Sequence, residues 1–256
     1  GTLTQVSCGT TTTTAGGLTI GSTYYVRVSN VGALVSSNGT FDICVTHQPP
    51  PPSNDNCSGA TVLTSTPTPT CTSVTGNLRY ATNSGIAGTC TAASPTYDVW
   101  YSFVAVSTTH AVTVSGLGSN LTAANTYLQM FSSSTNNCGG VLTNLGCQTV
   151  ATTGGRLTST TLTIGNTYFV RVYVLANPTA ASTANWNFSI CLQRPPVNDL
   201  CANATPLAPG ATCSTIAGTL DLSIPTVLAA ASGCALAGTY YDVWYSFVAA
   251  SVTETI

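Results

Sequence analysis

The chain has 256 residues, only 5% of them charged, and a net charge of −2. Soluble domains usually carry about 25% charged residues, and recognition of a phosphate backbone needs a basic stripe, so a nucleic-acid partner is excluded. No apolar run approaches the ~18 residues needed to span a bilayer, and a hydrophobic fraction of 43% argues for order over disorder.

In chain order, residues 1–48 hold strand candidates at 18–20, 24–28 and 41–45, with a turn at Gly21-Ser22. Pro49, Pro50, Pro51 and Pro52 follow as a stiff linker without backbone donors. After the turn pair Asn54-Asp55, β-branched and aromatic residues mark strands at 60–63, 73–78, 98–106, 111–115, 127–131, 157–164, 168–174 and 186–192. A helical turn is expected near 119–124. Pro195-Pro196 then forms a second joint. Short strands separated by Gly, Asn, Ser and Pro, with no long amphipathic helix, point to an all-β, jelly-roll-like antiparallel sandwich.

One stretch recurs. Tyr97-Asp98-Val99-Trp100-Tyr101-Ser102-Phe103-Val104-Ala105 returns unchanged from Tyr241 to Ala249, an offset of 144 residues. The same offset relates Leu18-Thr19-Ile20-Gly21 to Leu162-Thr163-Ile164-Gly165, and Asn54-Asp55 to Asn198-Asp199. The chain therefore reads as tandem repeats. Residues 1–48 are the back part of one, 49–194 a complete one, and 195–256 the front part of the next. On this reading the sequence is a piece of a longer protein, out of phase with its domains.

Period-two alternation puts Val99, Tyr101, Phe103 and Ala105 on the core face, and Asp98, Trp100, Ser102 and Val104 on the other. Either a loop or strand covers the outer Trp, or Trp100 and Trp244 pack against a neighbouring repeat or chain as assembly contacts.

Eleven Cys suit an exported, disulfide-bonded protein. The six in the full unit allow 15 pairings. Spacing favours Cys138 with Cys147 as a hairpin staple, and Cys71 with Cys90, repeated as Cys213 with Cys234. Cys57 with Cys191 remains, and Cys8, Cys44 and Cys201 are left without an intradomain mate. Zinc spacings are lacking.

Asp55, Asp98, Asp199 and Asp242 recur and are the candidate calcium ligands. Calcium takes six to eight oxygens, however, and the full unit offers only Asp55 and Asp98, so turn capping is the favoured role. Arg27 and Arg171 recur in a strand, where a solvated or stacked sheet-face role is expected. His47 and His110 are isolated, and no acid–base pair, nucleophile triad or phosphate loop is present, so neither catalysis nor a cofactor is expected. Asn38, Asn56, Asn120, Asn187 and Asn203 head N-glycosylation triplets.

Asn54-Asp55-Asn56-Cys57, Asp98-Val99-Trp100-Tyr101-Ser102-Phe103, Cys138-Gly139-Gly140-Val141-Leu142 and Tyr168-Phe169-Val170-Arg171-Val172 together resemble the Cys-containing β-sandwich repeats of Bacteroidota surface proteins exported by the type IX system, gliding adhesins among them. The back half is also similar to pre-peptidase C-terminal domains, which are jelly rolls. Repeats of this class often carry Asp before the strand at Tyr127; here Asn125 stands there, which argues against a calcium site. The resemblance implies an extracellular or cell-surface location. The expected role is a non-enzymatic structural or adhesive repeat of a filament or adhesin, with copies of itself, neighbouring repeats and surface glycans as partners. The alternative is a carbohydrate-binding accessory region of a secreted enzyme, with Trp186 or Trp100 as a sugar platform.

Overall fold

The computed structural model describes residues 3–32, 39–91, 96–178, 182–228 and 238–256. The chain divides into two units, Gly1–His47 and Gln48–Ile256.

Strand composition becomes sheet where a partner exists. The second unit contains β1 (Thr61–Val62), β2 (Ser65–Pro67), β3 (Val74–Asn77), β4 (Tyr97–Val104), β5 (His110–Ser115), β6 (Thr126–Ser133), β7 (Leu142–Thr149), β8 (Gly155–Ser159), β9 (Thr167–Val174) and β10 (Asn187–Arg194). One sheet has the order β1-β4-β9-β6-β7; the other runs β2-β10-β5-β8, with β3 also on β10. The β1·β4 and β2·β10 pairs are parallel, and the other pairs within these two sheets are antiparallel. The protein is all-β, with only short 3-10 turns as helical structure among the described residues.

The expected core face of β4 is correct. Val99, Tyr101 and Phe103 meet Leu128, Met130, Val170 and Val172 of their own sheet, and Val112, Val114, Phe188, Ile190 and Leu192 of the other. Gly76 on β3 lets this core close, because a Cβ there would lie 2.3 Å from the Phe188 ring and the Tyr101 hydroxyl.

Several expectations change. β2 and β7 were not anticipated. β7 has the polar sequence Leu142-Thr143-Asn144-Leu145-Gly146-Cys147-Gln148-Thr149 and lies at a sheet edge, where burial does not select apolar residues. The strand expected at 157–164 stops at Ser159. Residues 119–124 form hydrogen-bonded turns instead of a helical turn.

Residues 3–32 and 39–47 contain no strand. Their turn nevertheless forms. Ser22 N donates to Thr19 O (3.1 Å), Thr19 N donates to the Tyr24 hydroxyl (2.8 Å), and Gly21 has φ 86°. The β8–β9 connection repeats this, with Thr163 N donating to the Tyr168 hydroxyl at 2.7 Å and Gly165 at φ 88°. Local chemistry fixes the turn, whereas a strand needs a neighbour for its backbone groups.

Beyond β10 come β11 (Thr205–Leu207), β12 (Pro225–Leu228), β13 (Gly238–Tyr241) and β14 (Tyr245–Phe247). The parallel β11·β14 register, Thr205↔Tyr245, is that of β1·β4, Thr61↔Tyr101, moved by 144 residues. Asn198 Nδ2 donates to Trp244 O at 2.9 Å, as Asn54 Nδ2 does to Trp100 O at 3.0 Å. Arg156 forks onto Asp221 at 2.9 and 2.7 Å, joining this segment to β8. As a partly exposed pair it contributes up to about 1 kcal/mol.

The disulfides correct the expected pairing. They are Cys57–Cys138, Cys71–Cys191 and Cys90–Cys147, with Cα separations of 5.7, 5.8 and 5.5 Å. Cys138 and Cys147 cannot staple a hairpin because β7 runs extended from Leu142, carrying Cys147 about 17 Å along the strand. Each bond closes a loop of 57 to 120 residues, where limiting the unfolded chain is worth ~4 kcal/mol. Cys8, Cys44, Cys201 and also Cys213 are free thiols. Cys234 lies outside the described residues, so Cys213–Cys234 is not seen.

His110 is fully buried against Phe103, with ring centroids 5.3 Å apart, and neither ring nitrogen has a hydrogen-bond partner. Burial, opposed by the nearby Ser107 backbone and aided by the Arg194 charge, lowers its pKa from 6.5 to about 4. The folded state therefore binds fewer protons than the unfolded state in this window. Stability from neutral His110 is complete above pH 6.5 and is lost as pH falls toward 4. Urea unfolding should show about 2–3 kcal/mol less stability at pH 4 than at pH 7.5. His110→Phe should remove most of that loss; an unchanged pH slope in the variant would contradict this role.

Candidate functional site

The outer face of the first sheet is not solvent-facing. Arg171 on β9 stands opposite Trp100 on β4 and Gln129 on β6. Period two puts Asp98 on the same face, and Arg171 and Asp98 are fully buried. Arg171 Nη1 donates to Asp98 Oδ2 at 2.9 Å and to Ile86 O at 2.8 Å. Nη2 donates to Ala87 O (2.7 Å) and Gln129 Oε1 (2.8 Å), and Nε donates to Gln129 Oε1 (3.0 Å). All five guanidinium donors are thus used. Asp98 also accepts from Ser84 Oγ at 2.6 Å and Trp100 Nε1 at 3.1 Å. The guanidinium carbon lies 4.6 Å from the Tyr173 ring centroid and 5.5 Å from that of Phe131, within cation–π range.

Burial pushes the Asp98 carboxyl above its usual range and the Arg171 guanidinium below its own, while their mutual contact opposes both shifts. The groups around Asp98 are donors, so the carboxylate is the form this site is shaped for.

The loop carrying Ser84, Ile86 and Ala87 is the cover. Cys90–Cys147 ties it to β7, and Cys57–Cys138 ties the turn before β1 to the approach to β7. Gly88 allows contact with Tyr173, whose hydroxyl would lie 2.5 Å from an added Cβ. Trp100, Phe131 and Phe169 form a second apolar cluster, with Cys57, Ala60, Ile86, Cys138 and Leu142 packed on it.

The sequence-based site residues change meaning here. Trp100 is sealed inside its own module, so it is not an assembly contact, and its burial, like that of Trp186, removes it as a sugar platform. Trp244 is 37% exposed. Arg171 is neither solvated nor a surface stack, while its counterpart Arg27 is exposed.

The four calcium candidates are separately engaged. Asp55 accepts from Thr82 N (2.6 Å) and Thr82 Oγ1 (2.5 Å), Asp199 from Ile224 N (2.8 Å), and Asp242 from Thr226 Oγ1 (3.0 Å). With Asp98 held by Arg171, no metal-competent cluster of three acidic, His or Cys side chains forms among the described residues. The role of Gln129 was not anticipated. The recurrence of Asp98 with Asp242 and of Arg171 with Arg27 was the available signal for the ion pair.

An open cleft of about 440 Å³ lies beside the Cys57–Cys138 bond. Ser58, Ser102, Asn136, Asn137 and Thr167 line it with polar groups, and Ala60 and Phe169 with apolar ones. Asn136 has φ 56°, and its Oδ1 accepts from Thr167 N at 3.2 Å. The cleft presents hydroxyl and amide groups without a charged group, which suits a neutral polar ligand and offers no general acid or base.

Residues 53–190 match a family model described as galactose binding domain-like and associated with the type IX secretion system. Among solved structures, a pre-peptidase C-terminal domain of a collagenase from Bacillus anthracis matches at 9% identity and a TM-score of 0.30, covering 52% of this chain and 93% of that one. No match was found among curated proteins. The match to the family model spans more than half of the sequence, and the chain belongs to the galactose-binding-domain-like family associated with type IX secretion.

Proposed function

We propose that the chain is a structural and adhesive segment of an extracellular bacterial filament or cell-surface adhesin, made of like modules in series and carrying out no reaction. One observation carries this reading. The pairing that opens the sandwich, β1 on β4 with Asn54 on Trp100, recurs 144 residues later as β11 on β14 with Asn198 on Trp244. A backbone register repeated with its side-chain clasp supports a module copied in series. Three disulfides and the family's association with type IX secretion support export to the cell surface. The buried polar groups hold the cover loop, which supports a mechanical role over turnover. On this reading, electron microscopy of a chain containing several 144-residue units should show thin arrays lengthening in proportion to unit number. A collapsed particle of constant length would contradict it.

The cleft beside Cys57–Cys138 supports a second reading, a glycan-binding accessory module. Its uncharged hydroxyl and amide lining and the galactose-binding-like family both favour it. Titration with galactose and galactose-terminated oligosaccharides should then give heat that Asn137→Ala reduces about tenfold in affinity. No binding, or binding indifferent to Asn137, would remove this reading.

A further inference from the structure

The complete module grips the segment that follows it in two places, both on Asp221. Arg156 on β8 forks onto the carboxylate at 2.9 and 2.7 Å, and Thr68, buried just after β2, donates its hydroxyl to Asp221 O at 2.8 Å. Thr68 N also donates to Arg194 O at 3.0 Å, so one threonine holds both the exit of β10 and the segment beyond it. β2 and β8 end the order of the second sheet, so the grips come from its two edges. Pro195-Pro196 is a third, stiff attachment. A tether at one point leaves a swivel, whereas separated attachments fix an orientation.

The turn presenting Asp221 has the form it takes inside the complete module. Gly218-Thr219-Leu220-Asp221-Leu222-Ser223-Ile224 aligns with Gly76-Asn77-Leu78-Arg79-Tyr80-Ala81-Thr82. Leu222 has φ 64° where Tyr80 has φ 65°. Ser223 N donates to Leu220 O at 3.1 Å, as Ala81 N does to Leu78 O at 2.9 Å. Ile224 N donates to Asp199 Oδ1 at 2.8 Å, as Thr82 N does to Asp55 Oδ1 at 2.6 Å. A Cβ on Gly218 would strike the Tyr245 hydroxyl, as one on Gly76 would strike that of Tyr101. The turn is thus a fixed part of the unit, and both groups that grip it lie within residues 49–194. Its charge is not fixed. Arg79 occupies the place of Asp221 and donates to Thr183 Oγ1 of its own module at 2.9 Å. The turn therefore does not require an acid at 221, and Arg156 is what answers it.

We propose that Arg156, Thr68 and Asp221 form a lock that holds the following module in one orientation on the exit end of the one before it. The inference rests on the serial-module reading and concerns the angle between units, not what the array adheres to. The fork and the hydrogen bond together favour the locked over the released orientation about tenfold or more. An array held this way bends by releasing Asp221, not at its prolines. The two charged side chains are 37% and 41% exposed, so salt weakens the lock: at 1 M the screening length falls to roughly 3 Å.

The test records residual dipolar couplings on the ¹⁵N-labelled 256-residue chain. Amides of β4 to β10 and those of residues 197–226 should fit one alignment tensor. Asp221→Arg puts into the turn the residue that the complete module carries there, so the turn is kept while the fork becomes a repulsion. It should lower the alignment magnitude of residues 197–226 about twofold or more relative to β4 to β10. Arg156→Asp combined with Asp221→Arg should restore a single tensor, and Thr68→Val, which keeps both charges, should give a smaller loss. Separate tensors in the unaltered chain, or one tensor retained in Asp221→Arg, would overturn the lock. Arrays that lengthen in proportion to unit number while Asp221→Arg changes nothing would leave the serial-module reading standing and remove only the lock.

Discussion

The ion pair between Asp98 and Arg171 sets the terms for this fold. Two opposite charges lie 2.9 Å apart with no exposed surface. Removing them from water costs several kcal/mol per ion, and their attraction offsets this only when the remaining donors and acceptors are matched. Here they are matched, by Ser84, Trp100, Gln129 and the carbonyls of Ile86 and Ala87. The acceptors come from three separate parts of the sequence, so the pair cannot be satisfied until the sheet is registered and the cover loop is down.

The covalent bonds follow from that requirement. A loop of few apolar residues would not stay on a sheet face by hydrophobic burial alone. Cys90–Cys147 holds it to an edge strand, and Cys57–Cys138 closes the adjoining corner over Trp100 and Phe131. The cleft sits at that corner, framed by a disulfide and an Asn in a left-handed turn. Arg27 and Asp242 keep the residue types of Arg171 and Asp98 but stand apart from such a network, and the apolar residues beside them are exposed.

Much of this was legible in the sequence, for identifiable reasons. β4 and β9 are dense in aromatic and β-branched residues, and period two alone assigns Val99, Tyr101 and Phe103 inward and Asp98 and Trp100 outward. The outward face does not announce its cover, because the covering loop is polar and its contact is non-local. Cysteine pairing fails for the same reason. Cys147 is placed opposite Gln129 by sheet register, and nothing within nine residues of it shows that its mate is Cys90. β7 escaped notice because an edge strand need not be apolar. Arg171 was misread as a surface group because a charged residue inside Tyr-Phe-Val-Arg-Val has two explanations, a solvated face or a buried partner. The signal that favours a buried partner is the separate recurrence of each residue, Asp98 as Asp242 and Arg171 as Arg27.

The central claim is that the buried Asp98–Arg171 pair acts as a unit holding the cover loop on the sheet. A double-mutant cycle measures this directly, using Asp98→Asn, Arg171→Met and the combined variant, each followed by urea unfolding. The account predicts a loss of about 3–5 kcal/mol for each single change, because each strands a buried partner. The double variant should lose at least ~2 kcal/mol less than the two losses together. Losses that add to within about 0.5 kcal/mol would show that the two residues stabilise the fold independently and would contradict the account.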